Sequence, residues 1–197
     1  MNRFSRGLGM ALLAAQVSGC ALLAGPGPAP TTYDLTARAG GNLGRTGAQL
    51  AVREPRAIQL LDSERIVFRP SAENATYYGD AQWTDRLPKL IEAQLVESFA
   101  QGGVRTISRT TDGLNVDYQL MTELRDFSVM DGPGGQVARV AIYAQLVADT
   151  EGRALSGELF VAEAAVKGSD TPAGVAALNE ALGSALTGVV RWTLRRI

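Results

Sequence analysis

Asp117-Tyr118-Gln119-Leu120-Met121-Thr122-Glu123-Leu124-Arg125-Asp126-Phe127-Ser128-Val129 decides the architecture of this chain. Apolar or β-favouring side chains fall on alternate positions, Tyr118, Leu120, Thr122 and Leu124, then resume one place out of phase at Phe127 and Val129. Because successive side chains of a strand point to opposite faces, this pattern predicts one long strand with a bulge near Arg125-Asp126. Downstream, Gly132 to Gly135 turns the chain into a second long strand, Val137 to Ala148. Thr150-Glu151-Gly152-Arg153 turns it into a third, Ala154 to about Val166, so the three form an antiparallel meander. A final helix is predicted from about Thr171 to Leu194, opening at Pro172, with Val175, Leu178, Leu182, Leu186, Val189 and Val190 on one stripe. At helical spacing such a stripe reads as a core face.

Upstream, Asp112-Gly113 marks a turn and Val104 to Ile107 a short strand. Before it, Leu87, Leu90, Ile91, Gln94, Leu95 and Phe99 recur at helical spacing, predicting a helix over about Thr84 to Gln101 that stops at Gly102-Gly103. Thr84 is the expected N-cap, with Pro88 near the first turn, where a missing donor costs least. Gln49 to Val52, ending before Pro55, and Arg65 to Arg69 read as strands, whereas Ala57 to Leu61 fits a helical turn or extended chain. Strands, a helix, a strand-rich run and a long terminal helix specify an α+β fold: a single domain with a mixed, mostly antiparallel sheet and two main helices packed on one face.

The N-terminus carries a different signal. Arg3 and Arg6 precede an apolar run, Leu8 to Ala15, and then Val17-Ser18-Gly19-Cys20, which reads as a secretory leader over residues 1–19 ending at a lipidation site. The run falls short of the roughly 20 residues a spanning helix needs. Cys20, the sole cysteine, is the expected acylated residue, and multiple acyl chains would make a stable anchor. Ala21 favours the inner leaflet of the outer membrane, the domain lying on the periplasmic face. Residues 20–47 are expected to form the lipidated N-terminus and a flexible tether, from the Pro-rich Gly25 to Thr32 and the Gly-rich Ala39 to Gly47. Tyr33-Asp34-Leu35 between them reads as a short strand or docking segment, and the domain proper is expected over residues 48–197.

Composition narrows function. Nineteen basic and 20 acidic residues, interspersed, leave a formal charge of −1 and no footprint for nucleic acid. Without histidine the usual general base, the Ser-His-Asp arrangement and the commonest metal ligand are all missing. No metal site or cofactor motif is expected, and Gly132-Pro133-Gly134-Gly135 lacks the spacing of a phosphate loop. These features argue against an enzyme. Tyr77, Tyr78 and Trp83 are candidates for a partner-docking surface, or plugs at the core edge. Arg191, Arg195 and Arg196 could meet anionic headgroups; complementing the negative end of the last helix is the favoured role.

The order of Cys20, Tyr33-Asp34-Leu35, Leu50-Ala51-Val52 with Pro55, Arg65-Ile66-Val67-Phe68-Arg69, Trp83, Ala177-Leu178 and Val189-Val190-Arg191-Trp192 resembles the ABC-type transport auxiliary lipoproteins, the PqiC-like family. The Gly-rich insert at 39–47 and Phe160-Val161-Ala162 depart from its usual pattern. The resemblance implies an accessory lipoprotein that works with MCE-domain proteins and an ABC transporter in moving lipid between membranes. Only Cys20 carries over as a functional position. A protein-binding adaptor, a lipid carrier with its own pocket and an assembly lipoprotein of the LPS-transport type all fit the anchor, and a homo-oligomer is compatible with each.

Overall fold

The structure is a computed structural model that describes residues 29–41 and 43–197. Its strands are β1 (Thr31–Tyr33), β2 (Thr46–Val52), β3 (Arg56–Ala57), β4 (Arg65–Arg69), β5 (Thr76–Trp83), β6 (Val104–Arg109), β7 (Tyr118–Met130), β8 (Val137–Ala148) and β9 (Arg153–Ala165). Its helices are α1 (Leu87–Gln101) and α2 (Thr171–Leu194).

The β7 strand organises the sheet. One flank carries β8 and then β9, both antiparallel, as the meander predicts. The other flank is shared: β2 lies against Tyr118 to Leu120, β3 against Glu123 and Leu124, and β4 against Ser128 to Met130. Beyond β2 lies β6, and beyond β4 lie β5 and β1. The bulge falls where the phase slip put it. Leu124 opposes Ile142 and Asp126 opposes Ala141, which leaves Arg125 unopposed and its guanidinium 4.9 Å from the centre of the Tyr143 ring. The fold is α+β with a mixed sheet, most of whose residue pairs are antiparallel, as expected. The two longest ladders are antiparallel, whereas β1–β5, β2–β6, β2–β7, β3–β7 and β4–β7 are parallel. Alternation within each segment reports strands, not the direction in which distant strands meet.

Both helices lie on the helix-facing side of this sheet, where Leu120, Leu124, Phe127, Val140, Ile142 and Leu146 are buried against the α2 stripe. Asp170 caps α2, accepting from the Ala173 N–H at 3.0 Å. The α1 helix starts three residues later than its predicted cap. Arg86 occupies the N-cap position without a side-chain capping bond, and the Thr84 hydroxyl donates to Asp34 Oδ1 at 3.2 Å.

The expected flexible stretch through residue 47 is corrected by what it touches. From Thr31 the chain belongs to the fold: β1 pairs with β5, and Leu35, Ala37 and Leu43 are buried. Asn179 Oδ1 on α2 accepts from the Thr36 and Ala37 N–H groups at 2.8 and 3.1 Å. Gln94 and Ser98 of α1 bond Leu35 and Ala39, and Thr187 of α2 accepts from Gly40 N–H at 2.9 Å. Residues 34 to 41 are thus a strap lying over both helices, held by polar partners that no local periodicity signals.

Candidate interaction surfaces

Cys20 and the leader lie outside the described residues. The three aromatic candidates are placed apart. Trp83 is 1% exposed and meets Phe127 edge-to-face at 5.9 Å, so it is a core residue and not a docking side chain. Tyr77 and Tyr78, as neighbours on a strand, point to opposite faces. The Tyr77 ring lies under the Arg65 guanidinium at 3.9 Å. Tyr78 packs on Phe68 at 5.5 Å, and its hydroxyl is so close to α2 that a Cβ at Gly174 would sit 3.1 Å from it. Burial, then the nearby Asp131 and Asp80 carboxylates, push the Tyr78 hydroxyl above its usual range. These three residues do not make one surface. Arg196 stacks on Trp192 at 4.6 Å and donates to the Trp192 carbonyl at 2.9 Å, the helix-end role expected for it.

The surface that sequence reasoning missed is the solvent face of β9. Phe160 turns inward, 5.9 Å from Trp192, so Leu159 and Val161 turn outward and are 46% and 45% exposed. With Leu155 they make three of the five exposed large apolar side chains among the described residues. The signal was present: apolar residues occupy both parities of Leu159-Phe160-Val161-Ala162, as in a strand wanted on both faces. On the same solvent face a charge row crosses four strands. Arg69 on β4 lies 3.8 Å from Asp126 on β7, Asp126 lies 3.6 Å from Arg139 on β8, and Arg139 pairs with Glu163 on β9.

Two open clefts border α1. One, of about 320 Å³, is lined by Arg45, Thr46, Ala100, Gly103, Val104 and Arg105; the other, of about 280 Å³, by Arg53, Glu54, Glu92, Thr110 and Thr111. Glu92 is nearly buried and faces Arg109 at 3.5 Å. Burial pushes its carboxyl above the usual range, against the opposing pull of Arg109. No cluster of metal-ligating side chains occurs among the described residues. The α2 helix is long and apolar enough to cross a bilayer, but its apolar stripe is sunk in the core.

A single mixed sheet with two helices on one face and an N-terminal strap over both defines an α+β domain. The family of ABC-type transport auxiliary lipoprotein components matches residues 33–190, and the chain belongs to it. An uncharacterized protein of Bradyrhizobium diazoefficiens is 30% identical over 168 residues, which cover 83% of this chain and 44% of that protein. The chain thus spans less than half the length of that curated relative. Among solved structures, protein XCC0632 of Xanthomonas campestris is similar with a TM-score of 0.77 and 27% identity, covering 84% of this chain and 95% of that one. A second, an uncharacterized protein, shares the fold with a TM-score of 0.66 at 15% identity over 84% of this chain and 99% of that one.

Proposed function

We propose that this chain is a periplasmic accessory lipoprotein of an MCE/ABC-type intermembrane lipid transport system, anchored to the outer membrane through acylated Cys20 and acting as a protein-binding adaptor. The observation that carries the adaptor role is the filled space between α2 and the meander. Leu178, Leu182, Leu186, Val189, Val190 and Trp192 are all fully buried there. Gly188 lies so close to Phe160 that a Cβ would stand 2.8 Å from the ring. A carrier needs an apolar cavity of several hundred cubic ångströms, and this layer is where a sheet-and-helix domain would open one. Family membership supports the link to ABC-type transport, and the leader supports export and lipidation. The Cys20→Ser chain tests the anchor, which predicts loss of both fatty-acid labelling and membrane retention.

Crosslinking in intact cells, followed by native mass spectrometry of the purified full chain in detergent, tests the adaptor role. The adaptor reading expects an MCE-domain protein among the crosslinked partners and no stoichiometric lipid inside the domain. One internal phospholipid per chain would establish a carrier instead. Crosslinks to LPS-assembly proteins, without an MCE-domain partner, would move the chain to that class.

A further inference from the structure

Four arginines converge where the strap ends. The strap follows α2 turn by turn: a Cβ at Gly183 would lie 3.3 Å from the Arg38 carbonyl, and Thr187 accepts from Gly40 N–H at 2.9 Å. Residues one helical turn apart share a face, so Arg191 continues that line and Arg195 follows it. Leu194 marks where the line leads, since a Cβ at Gly44 would lie 3.9 Å from its Cδ1. The next residue of the chain is Arg45, which lines the cleft of about 320 Å³ together with Arg105 at the start of β6.

These arginines are uncommitted. All four are exposed, and among the described residues none of them enters an ion pair. The neighbouring carboxylates are matched elsewhere, Glu97 with Arg38 at 3.5 Å and Glu158 with Arg196 at 3.9 Å. The cleft between Arg45 and Arg105 adds a donor. Its Thr46 hydroxyl accepts from Ala48 N–H at 3.1 Å and donates to no partner among the described residues, while the Gly103 carbonyl is taken by Thr46 N–H at 3.4 Å. Gly103 stands at φ +90°, and a Cβ there would lie 2.5 Å from the Gly44 carbonyl, so the strap's end and the start of β6 are packed backbone to backbone.

We propose that this end of the domain docks an acidic segment of a partner protein, with one carboxylate seated in the cleft between Arg45 and Arg105 and others along Arg191 and Arg195. Guanidinium and carboxylate match in charge and in fork geometry. Placement favours a protein over the membrane that would hold Cys20. The chain meets α2 where Thr36 N–H donates to Asn179, and Leu194 lies fifteen residues, or about 22 Å of helix, farther on. The arginines therefore lie away from the side by which the chain would be tethered. Arg45 belongs to the Gly-rich insert at 39–47, so the site is a feature of this chain and not of the family pattern. The segment would belong to the partner that the adaptor reading requires, and on that reading this assignment rests.

The full chain, purified in mild detergent, is titrated with a fluorescein-labelled octaglutamate peptide and read by fluorescence anisotropy. Saturable binding is expected, weakening as salt rises from about 50 to 200 mM. Arg105→Gln with Arg195→Gln should lower the affinity by about 10-fold or more, and Arg45→Gln with Arg191→Gln is an independent pair with the same expectation. Arg53→Gln with Arg56→Gln removes equal charge from two other exposed arginines and should change it less than about 2-fold. A urea midpoint close to wild type shows that each variant is folded. In cells, a photo-crosslinking benzoylphenylalanine at Gln101, beside Ala100 on the cleft's rim, should join the full chain to an Asp- or Glu-rich stretch of an MCE-domain protein. No peptide binding, equal losses in the arginine pairs and their control, or adducts at Gln101 with phospholipid alone each overturns the proposal. An MCE-domain protein crosslinked at other positions but not at Gln101 overturns it and leaves the adaptor reading standing. Arginine-dependent peptide binding, with Gln101 joined to an acidic stretch of a protein that has no MCE domain, supports the docking surface and overturns the MCE assignment.

Discussion

Gly188→Ala should destabilise the domain, although the usual rule for a glycine inside a helix says the reverse. An alanine in mid-helix gains about 1 kcal/mol over glycine. Here the new methyl would stand 2.8 Å from Phe160 Cδ1 and 3.4 Å from Cε1, closer than carbon atoms pack. The ring has little room to yield, since it meets Trp192 edge-to-face at 5.9 Å and Trp192 is fully buried. Overpacking of this kind costs about 1–3 kcal/mol, and driving the ring off Trp192 forfeits about 0.5–1.5 kcal/mol more. The net expectation is a loss of about 1–3 kcal/mol, or several degrees in Tm for a domain of this size. Urea unfolding of the full chain in detergent, with calorimetry alongside, measures it. The diagnostic control is Phe160→Leu, which removes the ring: in that background Gly188→Ala should stabilise by about 0.5–1 kcal/mol, so the double-mutant cycle changes sign. Stabilisation by Gly188→Ala in the otherwise unaltered chain would refute the packing account.

Leu186→Ala removes a fully buried side chain from the face of α2 that meets the sheet and should cost about 2–5 kcal/mol; an unshifted denaturation midpoint would put the stripe on the outside. Asn179→Ala deprives the Thr36 and Ala37 N–H groups of their acceptor and should cost about 1–3 kcal/mol, with hydrogen exchange accelerated at those two amides and not in β8. Because the Glu92 carboxyl is pushed up by burial, the folded chain retains a proton just above the ordinary carboxylate range where the unfolded chain has lost it. Stability therefore falls as pH rises through that window. Glu92→Gln should flatten this slope in a series of urea melts, and a variant as steep as the parent would count against it.

The parts of the fold legible in sequence are those whose partners are near in the chain or whose periodicity is long. The bulge at Arg125-Asp126, the β7–β8–β9 meander and the α2 stripe each leave a repeating pattern of side chains. The strap does not. Its Gly-rich composition mimics a linker, and it is ordered by Asn179, more than 140 positions away in sequence. The Thr84 cap failed for a related reason: Thr84 N–H donates to the Tyr33 carbonyl and Leu87 N–H to the Ser63 carbonyl, distant partners that hold Thr84 outside the helix. For the candidate surface, the aromatic cluster misled because adjacency in sequence is opposition on a strand: Tyr77 and Tyr78 separate to the two faces and Trp83 enters the core. The exposed pair on β9 was visible only as an excess of apolar residues, whose uncovered side could be assigned once both helices were placed.

The strap also sets how the domain would respond to mechanical load. A pull on the chain ahead of Thr31 enters first through the three-residue β1–β5 ladder, then the Asp34–Thr84 contact, then the Asn179, Ser98 and Thr187 clamps along the helices. These are short attachments in series, so tension would release them one at a time and pay out chain before it reaches the long meander. The strap would act as a yielding link that lengthens under strain while the sheet and α2 keep their shape.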